Sequence, residues 1–251
     1  MRGRLLRVAA GLLLPVSLLA LWHLAASSGV YTASQLPPPG DVWRAGHTLL
    51  SRGELGHHVA ISAQRVLIGF GAGAFLGLLL GALVGLFRPV RAFLGPTLRA
   101  LRAVPSLAWV PLMLLWLGIG ETPKVTLVAL GTFFPVFTTV AAGLDHLDPR
   151  LRELGRAYGR RGVGLLVEVL LPAAAPAIVS GLRLGLAQGW LFLVAAELIA
   201  SSMGLGYLLV DSQNTGRTDV LLLAIVLLAL LGKASDACLG AVERRVVLRW
   251  S

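Results

Sequence analysis

Charged side chains stand inside two long apolar runs in the C-terminal half of the chain. Arg183 and Glu197 lie in one run, and Lys233 and Asp236 lie in the next. Because a charge in an apolar environment is costly, such groups face a cavity or a partner by default. Lys233 and Asp236 are three residues apart and can neutralise each other. Arg183 could attract an anion in a pathway or extend to the polar edge of its run, and Glu197 could serve that pathway or a structural role.

No other residues have the spacing of a catalytic or metal site. The patterns HExxH and GxSxG and any metal-like cluster of histidines are absent from the sequence, so no catalytic and no metal-binding residue is predicted. The closest match to the phosphate-binding pattern GxxxxGK[ST] is LLALLGKA at 227–234, which lacks the first glycine and the final serine or threonine. We therefore predict no cofactor in this chain, and a nucleotide would have to bind another subunit.

The composition is that of a protein that lies in a membrane. The 251 residues are 56% hydrophobic and 14% charged, and the mean hydropathy is +0.80, whereas a soluble domain carries about 25% charged residues. The net charge of +10 does not indicate nucleic acid, because the basic residues form short clusters between apolar runs. We predict an all-α integral membrane protein with a single domain over 1–251.

Six apolar runs are long enough to cross a bilayer as helices, which takes about 20 residues. The predicted spans are 8–26, 61–87, 100–118, 124–143, 173–200 and 220–241. Pro105 and Pro111 interrupt the third, which a bundle tolerates where neighbouring helices satisfy the freed carbonyls. Between the first two spans, LPPPGD at 36–41 is a stiff break, and a short helix is predicted over 42–52.

The distribution of lysine and arginine predicts an orientation. The N-terminus, the second and fourth connections and the C-terminal tail hold fifteen of these residues, and the other connections hold four. The positive-inside rule therefore places both termini and the segment 144–171 in the cytoplasm. The start MRGRLLR, the apolar run and LAASS also fit a cleavable signal peptide. Cleavage there would leave the orientation of the other spans unchanged.

Glycine recurs at every fourth position in the second span, and a similar stripe lies in the fifth. The helix-packing glycines are Gly69, Gly73, Gly77, Gly81 and Gly85 in the first stripe, and Gly181, Gly185 and Gly189 in the second. Such stripes let another backbone approach closely. Small residues are also common in membrane helices generally. Two regular stripes nevertheless favour the hypothesis that these two spans lie at tight helix interfaces.

The polar segment between the fourth and fifth spans is predicted to hold a short amphipathic helix over 149–159. Asp148 is placed as its N-cap and Pro149 at its first position, and Gly159 stands where a C-terminal glycine belongs. One face carries apolar residues and the opposite face carries charged ones: Leu147, Leu151, Leu154 and Tyr158 against Arg152, Glu153 and Arg156.

Such a helix is only marginally stable alone. Its small residues Gly155 and Ala157 would permit the close approach of another surface. The residues alone leave two hosts open, namely the membrane interface and the groove of a cytoplasmic partner.

This segment resembles the EAA loop of binding-protein-dependent ABC importer permeases. The family pattern reads E-A-A, three residues, G, nine residues, then I-x-L-P. Glu153, Leu154 and Gly155 stand at the EAA positions, Gly159 stands at the glycine, and VLLP at 169–172 ends the pattern. Leucine and glycine thus replace the two alanines, and valine replaces isoleucine.

Longer segments are similar to the sulfonate, nitrate and taurine branch of that family. They are LPPPGDVWRA, LRAVPSLAWVPLMLLWLGIGETPK, SGLRLGLAQGWLFLVAAELIASSMGLGYLL, RTDV, LGKASD and ERR. The resemblance implies a type I importer-like bundle of six transmembrane helices that forms a homodimer in the bacterial inner membrane. It also implies two ATP-binding subunits, which hold ATP and Mg²⁺, and a periplasmic or lipid-anchored solute-binding protein.

On this resemblance, the chain is expected to be the permease subunit of an ATP-driven importer and not itself an enzyme. The residues expected to couple it to the ATP-binding subunit are Leu151, Glu153, Leu154, Gly155, Ala157, Tyr158 and Gly159. A push on 149–159 would pass through 160–171 to the fifth span. The solute would be a small anion such as an alkanesulfonate, taurine, nitrate or a pyrimidine precursor.

Two other classes of protein explain part of the sequence. A proton- or ion-coupled secondary transporter would explain the spans and the buried charges, but not the loop pattern. A membrane enzyme would need clustered catalytic groups, which the sequence lacks.

Overall fold

The computed structural model describes residues 2–250, with side chains described for 13–245 except 106, 163 and 200. Within this range the α-helices are α1 Arg2–Ser27, α2 Pro39–Ser51, α3 Glu54–Leu86, α4 Arg88–Ala103, α5 Trp109–Leu117, α6 Glu121–Asp145, α7 Pro149–Ala157, α8 Gly162–Leu165, α9 Leu171–Ala200, α10 Leu205–Asn214 and α11 Thr218–Trp250. Ser106–Ala108 form a 3₁₀ turn and Leu166–Leu170 a π-helical turn. Met1 and Ser251, the ends of the predicted domain, lie outside the described residues, as do the side chains of 8–12 in the first predicted span.

Four apolar segments of the described chain are long enough to cross a membrane as helices. They are Glu54–Leu86, Glu121–Asp145, Leu166–Ile199 and Thr218–Arg245. Each contains one of the predicted spans almost completely, because apolar runs of this length are stable in lipid only as helices, whose backbone hydrogen bonds are internal. In α1 the described apolar stretch is shorter, Leu13–Ser27.

The structure differs from the prediction at 100–118, which does not form one continuous helix. α4 ends at Ala103, and Val104 adopts an extended backbone with ψ 126°. A proline disfavours the helical conformation of the residue before it, so Pro105 ends the helix at this point. The chain then resumes as α5, whose nine residues span roughly 14 Å at 1.5 Å per residue. Pro111 is tolerated in the first turn of α5, where its missing N–H would have no helical partner.

The helix α6 lies between the two glycine stripes. A Cβ atom added at Gly77 would lie 2.9 Å from Val136 Cβ, and one added at Gly81 would lie 3.0 Å from Val140 Cβ. The glycines of α3 meet residues of α6 that also recur every fourth position, namely Val128, Thr132, Val136, Val140 and Leu144. Because the residue numbers on α3 and on α6 increase together from one contact to the next, the two helices run parallel to each other.

The second stripe packs α9 on another side of α6. A Cβ at Gly181 would lie 3.0 Å from Thr139 Cβ, and one at Gly189 would lie 3.0 Å from Thr132 Oγ1. Here the residue number on α9 increases as that on α6 decreases, so α9 runs antiparallel to α6. The contacts belong to a compact unit formed by residues 61–202 and 229–251. Its core includes the fully buried Val136, Val140 and Leu144.

A second compact unit comprises residues 1–60 and 203–228. Proline at the start of α2 suits the first helical turn, and the apolar face of that helix, formed by Val42, Ala45 and Leu49, is buried. Elsewhere in this unit, Thr218 Oγ1 donates a hydrogen bond to the Ser34 carbonyl at 2.6 Å. This hydrogen bond joins two segments of the unit that are distant in sequence.

Candidate functional site

The helix α7 is defined at both ends by its own residues. The Asp148 carboxylate accepts a hydrogen bond from the Arg150 N–H at 2.9 Å, which satisfies one of the free donors of the first turn. At the other end, Gly159 has φ +76°, and its N–H donates to the Arg156 carbonyl at 3.0 Å. The Arg160 N–H donates to the Gly155 carbonyl at 2.9 Å, which completes a Schellman cap. The helix thus ends at Ala157, and the last two residues of the predicted 149–159 form its cap.

Gly155 is buried, and it faces the segment of the chain that follows α7. A Cβ atom at Gly155 would collide with Leu165 Cδ1 and would lie 3.3 Å from Val169 Cγ2. The expectation was that this small residue would admit an external surface. In the structure it instead lets α7 pack closely against α8 and the π-helical turn.

The predicted apolar face of α7 is divided between two environments. Leu147 packs against the core beside α6, and Leu151 is half-buried. Leu154 is 55% exposed and Tyr158 is 79% exposed. Glu153 and Ala157 are exposed as well. The helix therefore rests on its own chain by one side and presents a mixed apolar and acidic surface on the other.

A short segment connects this helix to α9. Arg160 and Glu168 form an ion pair at 2.8 Å, and a groove of about 330 Å³ beside it is lined by Leu154, Tyr158 and Val169 among others. The segment then continues through the π-helical turn into α9 at Leu171. The connection is therefore short, and few residues separate the exposed surface of α7 from a membrane-spanning helix.

Arg91, in the first turn of α4, contacts the C-terminal ends of α3 and α6 in the same unit. Its guanidinium donates to the carbonyls of Val84 at 3.1 Å and Gly85 at 2.8 Å, and it forms an ion pair with Asp145. The last carbonyls of a helix have no internal donors, so a guanidinium here satisfies the end of α3 and also fastens it to the end of α6. In the sequence, Arg91 was counted only as one of the charges that set the orientation.

Glu197, one of the two predicted pathway residues, is 1% exposed and fully engaged. Its carboxylate accepts hydrogen bonds from Ser62 Oγ at 2.8 Å and from Arg65 Nη1 at 2.6 Å. Arg65 also donates from Nε and Nη2 to the two oxygens of Glu121, both at 2.6 Å. Lys124 Nζ donates to Glu121 at 3.1 Å. Two cations thus balance two carboxylates, and we call these four charged residues with Ser62 the Arg65 cluster.

Sequence reasoning missed the Arg65 cluster except for Glu197. A signal for Arg65 was present, since it is a charged residue inside the predicted span 61–87 and intramembrane charges pair by default. Its partners could not be predicted in the same way, because Glu121 and Glu197 lie on other helices and are far from Arg65 in the sequence.

Arg183, the other predicted pathway residue, is held by two carboxylates of α11. Its guanidinium binds Asp236 in a bidentate manner at 2.8 and 3.0 Å and Glu243 at 2.7 Å. Lys233 Nζ lies 4.0 Å from Asp236, so Asp236 is neutralised mainly by Arg183 and only weakly by the lysine that sequence spacing suggested. The structure does not bring Arg183 and Glu197 together; they belong to separate clusters along α9.

The described residues contain no group of three or more His, Cys, Asp or Glu side chains that could hold a metal ion. The carboxylates of both clusters are instead occupied by arginine and lysine side chains. The site is thus a set of helix-joining ion pairs together with an exposed helical surface.

Similarity to solved structures identifies the fold. The chain resembles a chain of the inward-facing MetNI methionine ABC transporter with a TM-score of 0.67 and 20% sequence identity, over 75% of this chain and 94% of that one. At that identity the match shows the fold. The fold is that of an all-helical membrane permease of the ABC importer type.

Sequence comparisons then give the family. The family model described as "Binding-protein-dependent transport system inner membrane component" matches residues 73–248. The putative aliphatic sulfonates transport permease protein SsuC of Escherichia coli (strain K12) is 44% identical, over 98% of this chain and 93% of its own length. The taurine transport system permease protein TauC of the same organism is 36% identical, over 91% and 85%. The chain belongs to the family of binding-protein-dependent transport system inner membrane components.

Membership of this family decides between the classes of protein that the sequence left open. A permease of a binding-protein-dependent ABC importer is driven by a separate ATPase, and it is not itself an enzyme. The secondary transporter considered as an alternative does not fit this family.

Proposed function

We propose that α7 is the element through which an ATP-binding subunit acts on this permease. The observation that carries the proposal is the uncovered pair Leu154 and Tyr158 on a helix that is capped at both ends. Apolar groups exposed on one face of a short helix are suited to a complementary groove. Glu153 and Ala157 complete the surface offered to the partner, while Leu151, Gly155 and Gly159 shape the helix and fix it to its own chain.

Force on α7 would reach the bundle through α9. The tight contact at Gly155 and the ion pair between Arg160 and Glu168 make α7 and the π-helical turn move together. Since that turn leads directly into α9, displacement of α7 would reorient α9 against α6. Alternation between outward- and inward-facing states follows from such a reorientation.

We propose six membrane crossings with both termini in the cytoplasm. The predicted third span is not one continuous helix, and support for a crossing there comes from the parallel contact of α3 and α6. If two parallel helices both cross the membrane, the chain between them must return across it, so residues 87–120 form the return. Because the arginines of α4 belong to the cytoplasmic connection, the crossing is assigned to the residues around the predicted span 100–118, namely the extended Val104, the 3₁₀ turn Ser106–Ala108 and the nine residues of α5.

The proposed assembly contains two copies of this chain, two ATP-binding subunits that hold ATP and Mg²⁺, and a periplasmic or lipid-anchored solute-binding protein. The second copy is taken from the resemblance to the family; a surface open to it is present on α5, where Leu115 is 79% exposed and Trp116 is 64% exposed. These residues are uncovered in one chain and would face lipid or the partner in the assembly.

The proposed solute is a small anion of the alkanesulfonate, taurine or nitrate kind. The similarity to a putative aliphatic sulfonates permease and to a taurine permease supports this class. Arg183 and Glu197 are both neutralised by their neighbours, so we assign them to helix contacts and leave selection of the solute mainly to the binding protein.

Cross-linking tests the role of α7. In a Cys238→Ser background, which removes the only native cysteine, Ala157→Cys should form a disulfide with a cysteine introduced into the cleft of the co-expressed ATP-binding subunit. The matched control is Arg52→Cys, which lies in a connection on the proposed opposite side and should not react. Equal cross-linking of both variants, or of neither, would contradict the proposal.

Growth tests the solute. The transporter, supplied with its ATP-binding subunit and binding protein, should restore growth on an alkanesulfonate as sole sulfur source to a strain that lacks its own sulfonate permease. Uptake that persists without the ATP-binding subunit would reject the importer function itself.

A further inference from the structure

A second groove lies on the other flank of α7, where α3 ends. It has a volume of about 390 Å³, and its walls come from the end of α3, from α7 and from the α8–π-turn segment. The lining residues that matter here are Arg152, Arg156, Leu86, Phe87, Leu166 and Leu170. Because α3 is a membrane-spanning helix that ends at Leu86, the groove lies at the edge of the membrane, on whichever side α3 terminates.

The two arginines of this groove are on the same side of α7 and lack acidic partners. Arg152 and Arg156 are one helical turn apart, so their side chains are neighbours. Neither forms an ion pair with any residue whose side chain the structure describes. Arg91 and Arg160 are paired with Asp145 and Glu168. Arg150 and Arg161 form no ion pair among the described residues either, but they lie outside the groove. The groove thus has an uncompensated positive charge.

The remaining wall of the groove is apolar. Leu170 is buried and Leu166 is half-buried, and both lie on the π-helical turn. Phe87, directly after the end of α3, is 50% exposed. One cavity therefore combines two guanidinium groups with a leucine and phenylalanine surface. A ligand that matches it has an anionic head and a hydrocarbon tail.

We propose that this groove binds an anionic phospholipid. Its phosphate would accept hydrogen bonds from Arg152 and Arg156, since guanidinium groups bind phosphate strongly and with two parallel bonds. An acyl chain would lie along Phe87, Leu166 and Leu170. Basic pockets at the ends of membrane helices recognise anionic headgroups on this principle. The inference goes beyond transport and does not depend on the coupling role of α7.

Lipid titration of the complete chain tests the proposal. The permease is purified in detergent, and binding of phosphatidylglycerol and of phosphatidylcholine is followed by native mass spectrometry. The variant R152Q/R156Q should bind phosphatidylglycerol about thirtyfold more weakly, since each basic residue near a membrane surface contributes about 1 kcal/mol and 1.4 kcal/mol is a factor of ten. The matched control R150Q/R161Q removes the same charge from the same segment outside the groove, and its affinity should be unchanged.

A second variant tests the apolar wall. Leu166→Trp fills the groove without altering charge, so it should also weaken phosphatidylglycerol binding while the protein elutes as the wild type does on size exclusion.

Four outcomes would overturn the proposal: equal binding of the two lipids, equal loss in the control variant, displacement of the lipid by inorganic phosphate, or unchanged lipid binding in R152Q/R156Q. If lipid binding were unchanged and the ATP-binding subunit no longer co-purified, the groove would belong to that subunit instead.

Discussion

The helix α9 carries a charged cluster in each half, and the two are held in different ways. Glu197 is 1% exposed, and the structure surrounds it with Ser62 and Arg65, which in turn binds Glu121. Arg183 has a side chain that is 37% exposed, and its partners Asp236 and Glu243 are 35% and 28% exposed. The difference shows that burial sets how completely a charge must be matched within the protein. Where water is excluded, removal of one partner leaves a bare charge, and this costs more than the pair itself contributes.

The largest effect is expected from Arg65→Met. This change leaves the buried Glu197 without its cation, and removal of one member of a buried pair costs about 3–5 kcal/mol. The apparent Tm in detergent should fall strongly, and Arg65→Met combined with Glu197→Gln should recover part of the loss. Arg52→Met, at an exposed position, is the control and should leave Tm unchanged. A Tm for Arg65→Met that equals the wild-type value would mean that the cluster is not essential for stability.

The next largest effect concerns the contact of α3 with α6. Leucine at Gly77 would push against Val136 and the Phe133 carbonyl, which lies 3.0 Å from the added Cβ position. Overpacking of this kind costs about 1–3 kcal/mol. Gly71→Leu on the same helix is the control, because a Cβ there meets nothing within 4 Å. We expect Gly77→Leu to reduce Tm and the yield of folded protein, and equal losses in both variants would rule out a specific interface.

Arg183→Met sharpens the comparison between the two halves of α9. The Asp236 and Glu243 side chains are 35% and 28% exposed, and Lys233 lies 4.0 Å from Asp236, so the loss of Tm should be less than half of that for Arg65→Met. High salt should reduce this loss, because exposed charges are screened, and should leave the loss in Arg65→Met nearly unaltered. Equal salt dependence at both positions would contradict the difference in exposure between the two clusters.

The smallest effect on stability, and the largest on coupling, is expected from Gly159→Asp. The φ of +76° costs a non-glycine residue about 1 kcal/mol, and the loosened cap would let α7 fray. Transport-coupled ATP hydrolysis by the assembled importer should be lost while the protein stays inserted. Gly56→Asp introduces the same side chain at an exposed position far from α7, where φ is not positive and a Cβ meets nothing within 4 Å, and should retain coupling. Wild-type uptake by Gly159→Asp would reject the role of the cap.

Local signals in the sequence were sufficient for much of this fold. Length and hydropathy located the four long apolar helices, and the capping residues Asp148 and Gly159 located α7, because both depend on residues that are close in sequence. Pro105 also carried the signal for the break after α4, but it was interpreted as a tolerated interruption of one span and not as a boundary. The number of crossings and the coupling role stay predictions.

Contacts between distant residues were beyond the reach of that reasoning. The partners of Arg65 lie on α6 and α9, and the register that joins them exists only after the helices pack. The inward position of Gly155 has the same origin, since it depends on Leu165 and Val169 folding back over α7. A pattern at four-residue spacing predicts that a glycine stripe is covered, but not which helix covers it; here both stripes face α6.

The matched four-residue repeats of α3 and α6 have a consequence for how these two helices can change in evolution. Inserting or deleting a single residue within either one rotates everything beyond it by about 100°, so every following glycine would turn away from its partner at once. An insertion of four residues would rotate the helix by only about 40° beyond a full turn and would retain most of the pairings. Homologous chains should therefore vary freely at lipid-facing positions of these helices while keeping their lengths fixed.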